Sequence, residues 1–474
     1  MLPVGWSCDP STLQSSGSLA TLDPAQLTRH AVLVGMTGSG KTGMAMQLLE
    51  QVVLAGTPVL AVDPKGDLGN FALVMERPEA FAPFVEGDPA PVAAAWAAGL
   101  AAEGRDPGER ARFREKVAVQ VLTPGSEAGV PVDVLSMITR APAGLADEPD
   151  ALPDYVHGVV SALLGLIGRP SSGVTNPEAI LLALLFTGAF SAGEDMPLDR
   201  LIPAVVDPPF ARVGYQAVDA FLPRAQRAEL ARALNAVVAS PSFAAWRVGV
   251  PLDIAAWMAP VDGKTPLRVV YLAHLDEGQR MFFLTLLLHA VVAWTRRQAG
   301  TAKLRALVYL DEVMGYLPPH PRDPPSKWPI LTRMKQARAV GVGVMLATQN
   351  PVDMDYKAIG NASTLLIGRL ITRQDKERVL EGLRAAGGDG ADVADLIPRL
   401  PSRGFVVRTD RGVSVVRSRH TLSWLRGPLT RREVALLQQP WARPTGEAGA
   451  MRAPPRPRAT PRAGCCPPGR KRWA

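Results

Sequence analysis

GMTGSGKT, residues 35–42, is the stretch whose reading decides the fold. It matches the phosphate-binding pattern G-x-x-x-x-G-K-[ST] in full, and that pattern carries weight only between a strand and a helix. Both flanks are present. His30–Val34 is a short apolar run ending at a glycine, as a buried parallel strand does, and Lys41–Leu54 repeats its apolar residues at helical spacing. Gly35, Gly38 and Gly40 allow backbone conformations that a side chain would block, so the N–H groups of Gly35, Met36, Thr37, Gly38, Ser39, Gly40, Lys41 and Thr42 can turn inward around phosphate oxygens. Lys41 is expected to reach the β- and γ-phosphates and the Thr42 hydroxyl to ligate Mg²⁺, at a helix start whose positive end favours anions. ATP and Mg²⁺ are therefore the expected ligands. A second GKT, Gly263–Thr265, lacks the upstream glycine, and Pro266 follows where a helix should begin.

Outward from this loop, further short apolar runs predict strands at Pro58–Val62, Val117–Leu122, Leu267–Leu272, Leu304–Leu310, Gly341–Ala347 and Thr364–Leu370. Strands alternating with helical segments predict an α/β fold with a mostly parallel sheet covered on both faces. Between about Val92 and Met258, Ala and Leu recur at helical spacing, with a capped start at Asn176-Pro177-Glu178. This predicts a largely helical insertion, residues 92–258, interrupted near Val117–Leu122. The core is then split into residues 28–91 and 259–437, preceded by a lead-in over 1–27. Phe405–Val407 and Val413–Val416 flank Asp410-Arg411-Gly412 and predict a hairpin. From about residue 438 to 474 proline, arginine and glycine dominate, which predicts a disordered basic tail, natural or the product of a frameshift.

Composition removes several classes. At 474 residues and 47% hydrophobic, the chain has the size of two to three folding units. Its three cysteines, Cys8, Cys465 and Cys466, give neither a disulfide framework nor a metal-ligand spacing. The start lacks the order of a signal peptide, and the longest apolar stretch, Met281–Trp294, is short of a bilayer span, so a cytoplasmic protein without membrane contact is expected. The net charge of +8 misleads, because seven of those charges fall in the tail after Pro440. The high pI therefore describes the tail and not a basic face on the core.

A phosphate loop also needs an acid for the metal and a base for the attacking water. Ala306–Leu310 delivers Asp311-Glu312 at a strand's C-terminal end, with Asp311 suited to the metal and Glu312 to the base.

The order of motifs resembles the HerA and FtsK branch of P-loop ATPases. Asp63-Pro64-Lys65-Gly66-Asp67 is similar to that branch's Asp-Pro-X-Gly element. Gln336–Pro351, QARAVGVGVMLATQNP, resembles its arginine segment, strand and sensor glutamine. Asp311–Pro319 and Thr348–Lys357 are similar to segments of bacterial HerA-like ATP-binding proteins. The resemblance covers about His30–Leu437. It implies a RecA-like core, a homo-oligomeric ring, usually a hexamer, and ATP-driven translocation or unwinding of duplex DNA. It implies catalytic roles for Lys41, Glu312, Gln349 as γ-phosphate sensor and Arg338 as an arginine reaching a neighbouring subunit's nucleotide. Arg369, in Ile367-Gly368-Arg369, is a second finger candidate. A nuclease or other effector partner is also implied. The β-barrel that usually precedes the P-loop in HerA proteins has little room in the 34 residues before Gly35. Two other readings use the same nucleotide residues: a motor acting on protein, as secretion-type ATPases do, and a nucleotide-gated scaffold in a defence complex. The joint presence of Lys41 and Glu312 speaks for an enzyme over a scaffold.

Overall fold

The structure, a computed structural model, describes residues 1–140, 151–169, 175–385 and 391–438. The expected tail from Pro440 lies outside the described residues. At the centre is a 13-stranded sheet. In chain order the strands are β1 (Leu2–Cys8), β2 (Ser15–Leu22), β3 (Ala31–Val34), β4 (Val59–Asp63), β5 (Val117–Pro124) and β6 (Val130–Asp133). A separate hairpin, β7 (Arg212–Val213) and β8 (Gln216–Ala217), follows. Then come β9 (Val250–Pro251), β10 (Thr265–Tyr271), β11 (Ala306–Leu310), β12 (Val342–Thr348), β13 (Thr364–Gly368), β14 (Gly404–Thr409) and β15 (Gly412–Arg417). Across the sheet the order is β2-β1-β15-β14-β13-β3-β12-β11-β4-β10-β5-β6-β9. From β13 to β9 every neighbouring pair is parallel, and the β2-to-β14 end is antiparallel.

The central strands are buried along their whole length, which is why they read as unbroken apolar runs and not as alternation. Successive side chains still go to opposite faces. Ala31, Leu33, Ala61, Leu307 and Tyr309 pack with Met44, Leu48, Leu49 and Val52 of the helix Lys41–Leu54. Val32, Val34, Val62, Val308 and Leu310 share the other core with the helices Ala151–Leu166, Pro177–Ser191 and Glu277–Arg296. The last of these carries the apolar Met281–Trp294 stretch and opens with a capping box between Asp276 and Gln279. Among the described residues no helix is long and apolar enough to cross a membrane.

Residues 1–27 do more than lead in. They form β1, β2 and the short helix Pro24–Leu27, and Gln47 donates to the Pro3 carbonyl at 2.7 Å, tying β1 to the helix after the loop. The segment 92–258 is helical for most of its described length, but β5, β6 and β9 from within it join the main sheet.

Two buried histidines make the fold acid-sensitive. His30 accepts from the Val344 N–H through Nδ1 at 3.0 Å, and His289 stacks on Trp328 with ring centroids 5.7 Å apart. Burial, helped by Arg333 beside His30 and by His157 beside His289, pushes both imidazoles from 6.5 down to about 4. The unfolded chain therefore takes up these protons at higher pH than the native state. The stabilisation is complete above pH ~6.5 and is lost as pH falls towards about 4, at about 1.4 kcal/mol per histidine per pH unit. The thermal midpoint should drop measurably between about pH 7 and pH 5, and a flat profile over that interval would contradict the assignment.

Candidate functional site

Register brings the chemistry to one edge. Val34 lies opposite Thr348 and Ile367, Leu346 opposite Leu310, and Leu310 opposite Val62. The C-terminal ends of β3, β12, β11 and β4 are thus adjacent, the edge at which open parallel sheets bind ligands. The phosphate-loop pattern, Gln349, Asp311-Glu312 and Asp63–Asp67 all leave from it. β12 intervenes between β3 and β11, so about 10 Å separates the loop strand from the acid strand, a gap that the Lys41 stem helps to close.

The loop is built for close approach. Gly38 and Gly40 have φ of +80° and +90°. A Cβ at Gly35 would lie 2.6 Å from the Ser39 hydroxyl oxygen. Such a backbone can present N–H groups to phosphate oxygens, but not those of Met36 and Ser39, which the sequence also suggests: they donate to the Arg369 and Met36 carbonyls at 3.1 and 3.0 Å. Lys41 is buried, and its Nζ is 3.2 Å from Asp311 Oδ1 and 3.6 Å from Glu312 Oε2. Tyr309 donates to Asp311 Oδ1 at 2.9 Å, fixing the carboxylate. Thr37 donates to Gln349 Oε1 at 2.8 Å, and the Gln349 N–H donates to Glu312 Oε1 at 3.3 Å. Glu312 has φ +45°, a backbone region that non-glycine residues rarely occupy and that recurs at functional sites.

Electrostatics follow from this crowding. Burial pushes the Glu312 carboxyl up, but Lys41 and Lys65, with the Gln349 N–H, outweigh it and hold it below its ordinary value. Asp63 is pushed up to about 7, by burial first and then by the Asp311 charge, against hydrogen bonds from the Gly66 and Leu68 N–H groups. Burial and Asp311 also raise Asp67. Among the described residues no group of three or more His, Cys, Asp or Glu could hold a metal ion. A Mg²⁺ shared with phosphate oxygens and water needs few protein ligands, and of the two expected, Asp311 and Thr42, the former is held by Lys41 and Tyr309 at the sheet edge.

Arg369 lies beside the loop. Its carbonyl accepts from the Met36 N–H at 3.1 Å, and its Nε is buried without a hydrogen-bond partner. Arg338 is not part of this constellation. It precedes β12, at the strand-start edge opposite the loop, and lines a cavity of about 480 Å³ with Arg29, His30, Lys335 and Arg408.

Sequence reasoning missed one component. The segment Pro401–Gly404 lies over the loop: the Arg403 N–H donates to the Ser39 carbonyl at 2.9 Å and the Ser402 hydroxyl to the Gly38 carbonyl at 3.1 Å. The Arg403 side chain is anchored on Glu103 at 2.9 Å, which also accepts from the Trp6 indole at 2.5 Å. A Cβ at Gly40 would meet Arg403 Cα at 3.1 Å, so the third loop glycine is needed for this contact as well as for its own φ.

The fold and site define a RecA-like P-loop NTPase core. Residues 10–120 match the family model described as "Helicase HerA, central domain". The structure is similar to that of VirB4 of Thermoanaerobacter pseudethanolicus, with TM-score 0.54 and 12% identity over 88% of this chain and 96% of that one. It is also similar to the bacterial conjugative coupling protein TrwBdeltaN70, with TM-score 0.51 and 12% identity over 90% and 97%. At such identity the likeness is one of fold. No curated protein matches the chain by sequence. Motifs, the match over residues 10–120 and the architecture agree in their likeness to the HerA and FtsK branch.

Proposed function

We propose that this protein is an ATP-hydrolysing motor of the HerA type that works as a homo-oligomer on DNA. The observation that carries the hydrolytic part is the convergence of Lys41, Asp311, Glu312 and Gln349 on one glycine-built loop. Residues 35–42 hold the phosphates, and Lys41 turns from the two carboxylates to the phosphate oxygens. Thr42 and Asp311 would hold Mg²⁺, which neutralises charge on the β- and γ-phosphates. Glu312 accepts the proton of the attacking water as the γ-phosphorus bonds to that oxygen and ADP departs on the bridging one. Gln349, tied to Thr37 of the loop and to Glu312, is placed to register the terminal phosphate. Arg338 serves the nucleotide of the next subunit, because its position excludes it from its own.

DNA is the substrate that the motif resemblance favours. The test is ATPase activity of the full chain and of a chain ending at Gln438, with and without duplex DNA. Stimulation should persist in the shortened protein. The tail should contribute only weak, sequence-blind binding that fades steeply with salt, as its net charge of +7 dictates. Stimulation that disappears with the tail, or none in either protein, would leave a motor acting on protein as the better reading.

A further inference from the structure

Lys65 is not needed to hold the turn in which it sits. The Asp63 carboxylate does that, accepting from the Gly66 and Leu68 N–H groups at 2.7 and 2.8 Å, and Gly66 supplies the φ of +92°. The Lys65 side chain reaches across the site instead, and its Nζ is 2.7 Å from Glu312 Oε2. That oxygen also lies 3.6 Å from Lys41 Nζ, while Glu312 Oε1 accepts from the Gln349 N–H. Both oxygens of the base are thus engaged. Lys41 leaves when phosphate enters the loop, since the loop exists to bring it there. Lys65 still occupies one lone pair of Oε2, and its charge keeps the carboxylate a poor proton acceptor until the ammonium moves.

Of the two partners, the lysine is the one able to move. Glu312 is buried and held through Oε1 by the Gln349 N–H, whereas the Lys65 side chain is 36% exposed on a flexible four-carbon stem. A terminal phosphate entering beside Lys41 brings more negative charge than the carboxylate and competes for the same cation. We propose that Lys65 is the positioning residue of the base: it holds Glu312 in the empty or ADP-bound site and passes to the terminal phosphate of a bound triphosphate, freeing Oε2 for water. The device keeps the base weak until a γ-phosphate is present. This rests on the reading of residues 35–42 as the ATP site.

The experiment measures affinities of the full chain for MgADP and for a non-hydrolysable ATP analogue with Mg²⁺. It compares wild type, Lys65→Met, Lys65→Arg, Glu312→Gln and Lys65→Met/Glu312→Gln. In Lys65→Met the preference for triphosphate over diphosphate should fall roughly tenfold or more with ADP affinity unchanged, as expected for loss of one charge-assisted contact. Lys65→Arg should restore most of it. Glu312→Gln should bind the analogue more tightly because it no longer competes for Lys65, and that gain should vanish in the double variant, a coupling that a merely structural role would not produce. Unchanged preference in Lys65→Met, a gain that survives in the double variant, or equal weakening of both nucleotides with a lower melting temperature each overturns the proposal. If wild type binds neither nucleotide, the ATP reading itself fails, a result distinct from any of these.

Discussion

Lys41→Ala should abolish tight ATP binding, whereas Glu312→Gln should keep binding and lose turnover. The two residues lie 3.6 Å apart, yet they act at different moments. In the proposed mechanism Lys41 contacts phosphate in the ground state and Glu312 acts on the attacking water, and loss of a general base lowers rates by about 10²–10⁴-fold. Lys41 is also the buried cation between Asp311 and Glu312, in a cluster that includes the raised Asp63. Its removal should therefore lower the melting temperature of the nucleotide-free protein as well, through carboxylates left facing one another. Equilibrium binding of a fluorescent nucleotide and steady-state phosphate release separate the two effects. Wild-type turnover in Glu312→Gln would remove it as the base.

Arg338→Ala should keep ATP binding and lose turnover, by as much as the 10³–10⁵-fold typical of arginines that stabilise the transferring phosphoryl group. Because Arg338 lies at the strand-start edge, the role proposed for it requires that it act on another chain's nucleotide. Activity per subunit should rise with protein concentration and then saturate. Mixing Lys41→Ala with Arg338→Ala protein should recover some activity, since some interfaces then join an intact loop to an intact arginine. Strict coupling between sites would hold even such mixed assemblies inactive. Arg369 gives the contrasting control. Its carbonyl accepts from the Met36 N–H of its own loop, so if Arg369 serves that loop's nucleotide, Lys41→Ala mixed with Arg369→Ala should recover no activity. Full activity of Arg338→Ala alone would end the assignment and make Arg369 the next residue to test.

The parallel strands were legible because burial on both faces writes itself as unbroken apolar runs, and residues 31–34, 306–310 and 364–368 are of that kind. β2 was not, because SSGSLATL is an outer strand whose side chains face water except near its end. β1 carries Pro3 and Gly5, which break any periodic signal, and its place is set by pairing with β15 some four hundred residues away. In the site, residues 35–42 and 311–312 announce themselves through residue types that only their chemistry requires. Pro401–Gly404 reads as an ordinary turn. Its bearing on the loop comes from backbone groups and from Glu103, and neither leaves a mark on the spacing of neighbouring residues.

The pairing of β1 with β15 sets a timetable for the newborn chain. Leu2–Cys8 is made some four hundred residues before its sheet partner Gly412–Arg417, which is among the last described segments to follow. At usual rates of synthesis the first strand waits about 20–80 s for its partner. Arg403, which closes over the phosphate loop, arrives equally late. A half-made chain thus carries the whole GMTGSGKT sequence without the segment that covers it, and presents an unpaired strand edge throughout. Long-range closure of this kind folds slowly and invites association between unfinished chains. The yield of active protein should therefore depend on how well that first strand is shielded during synthesis, and slowing translation before residue 400 should lower it.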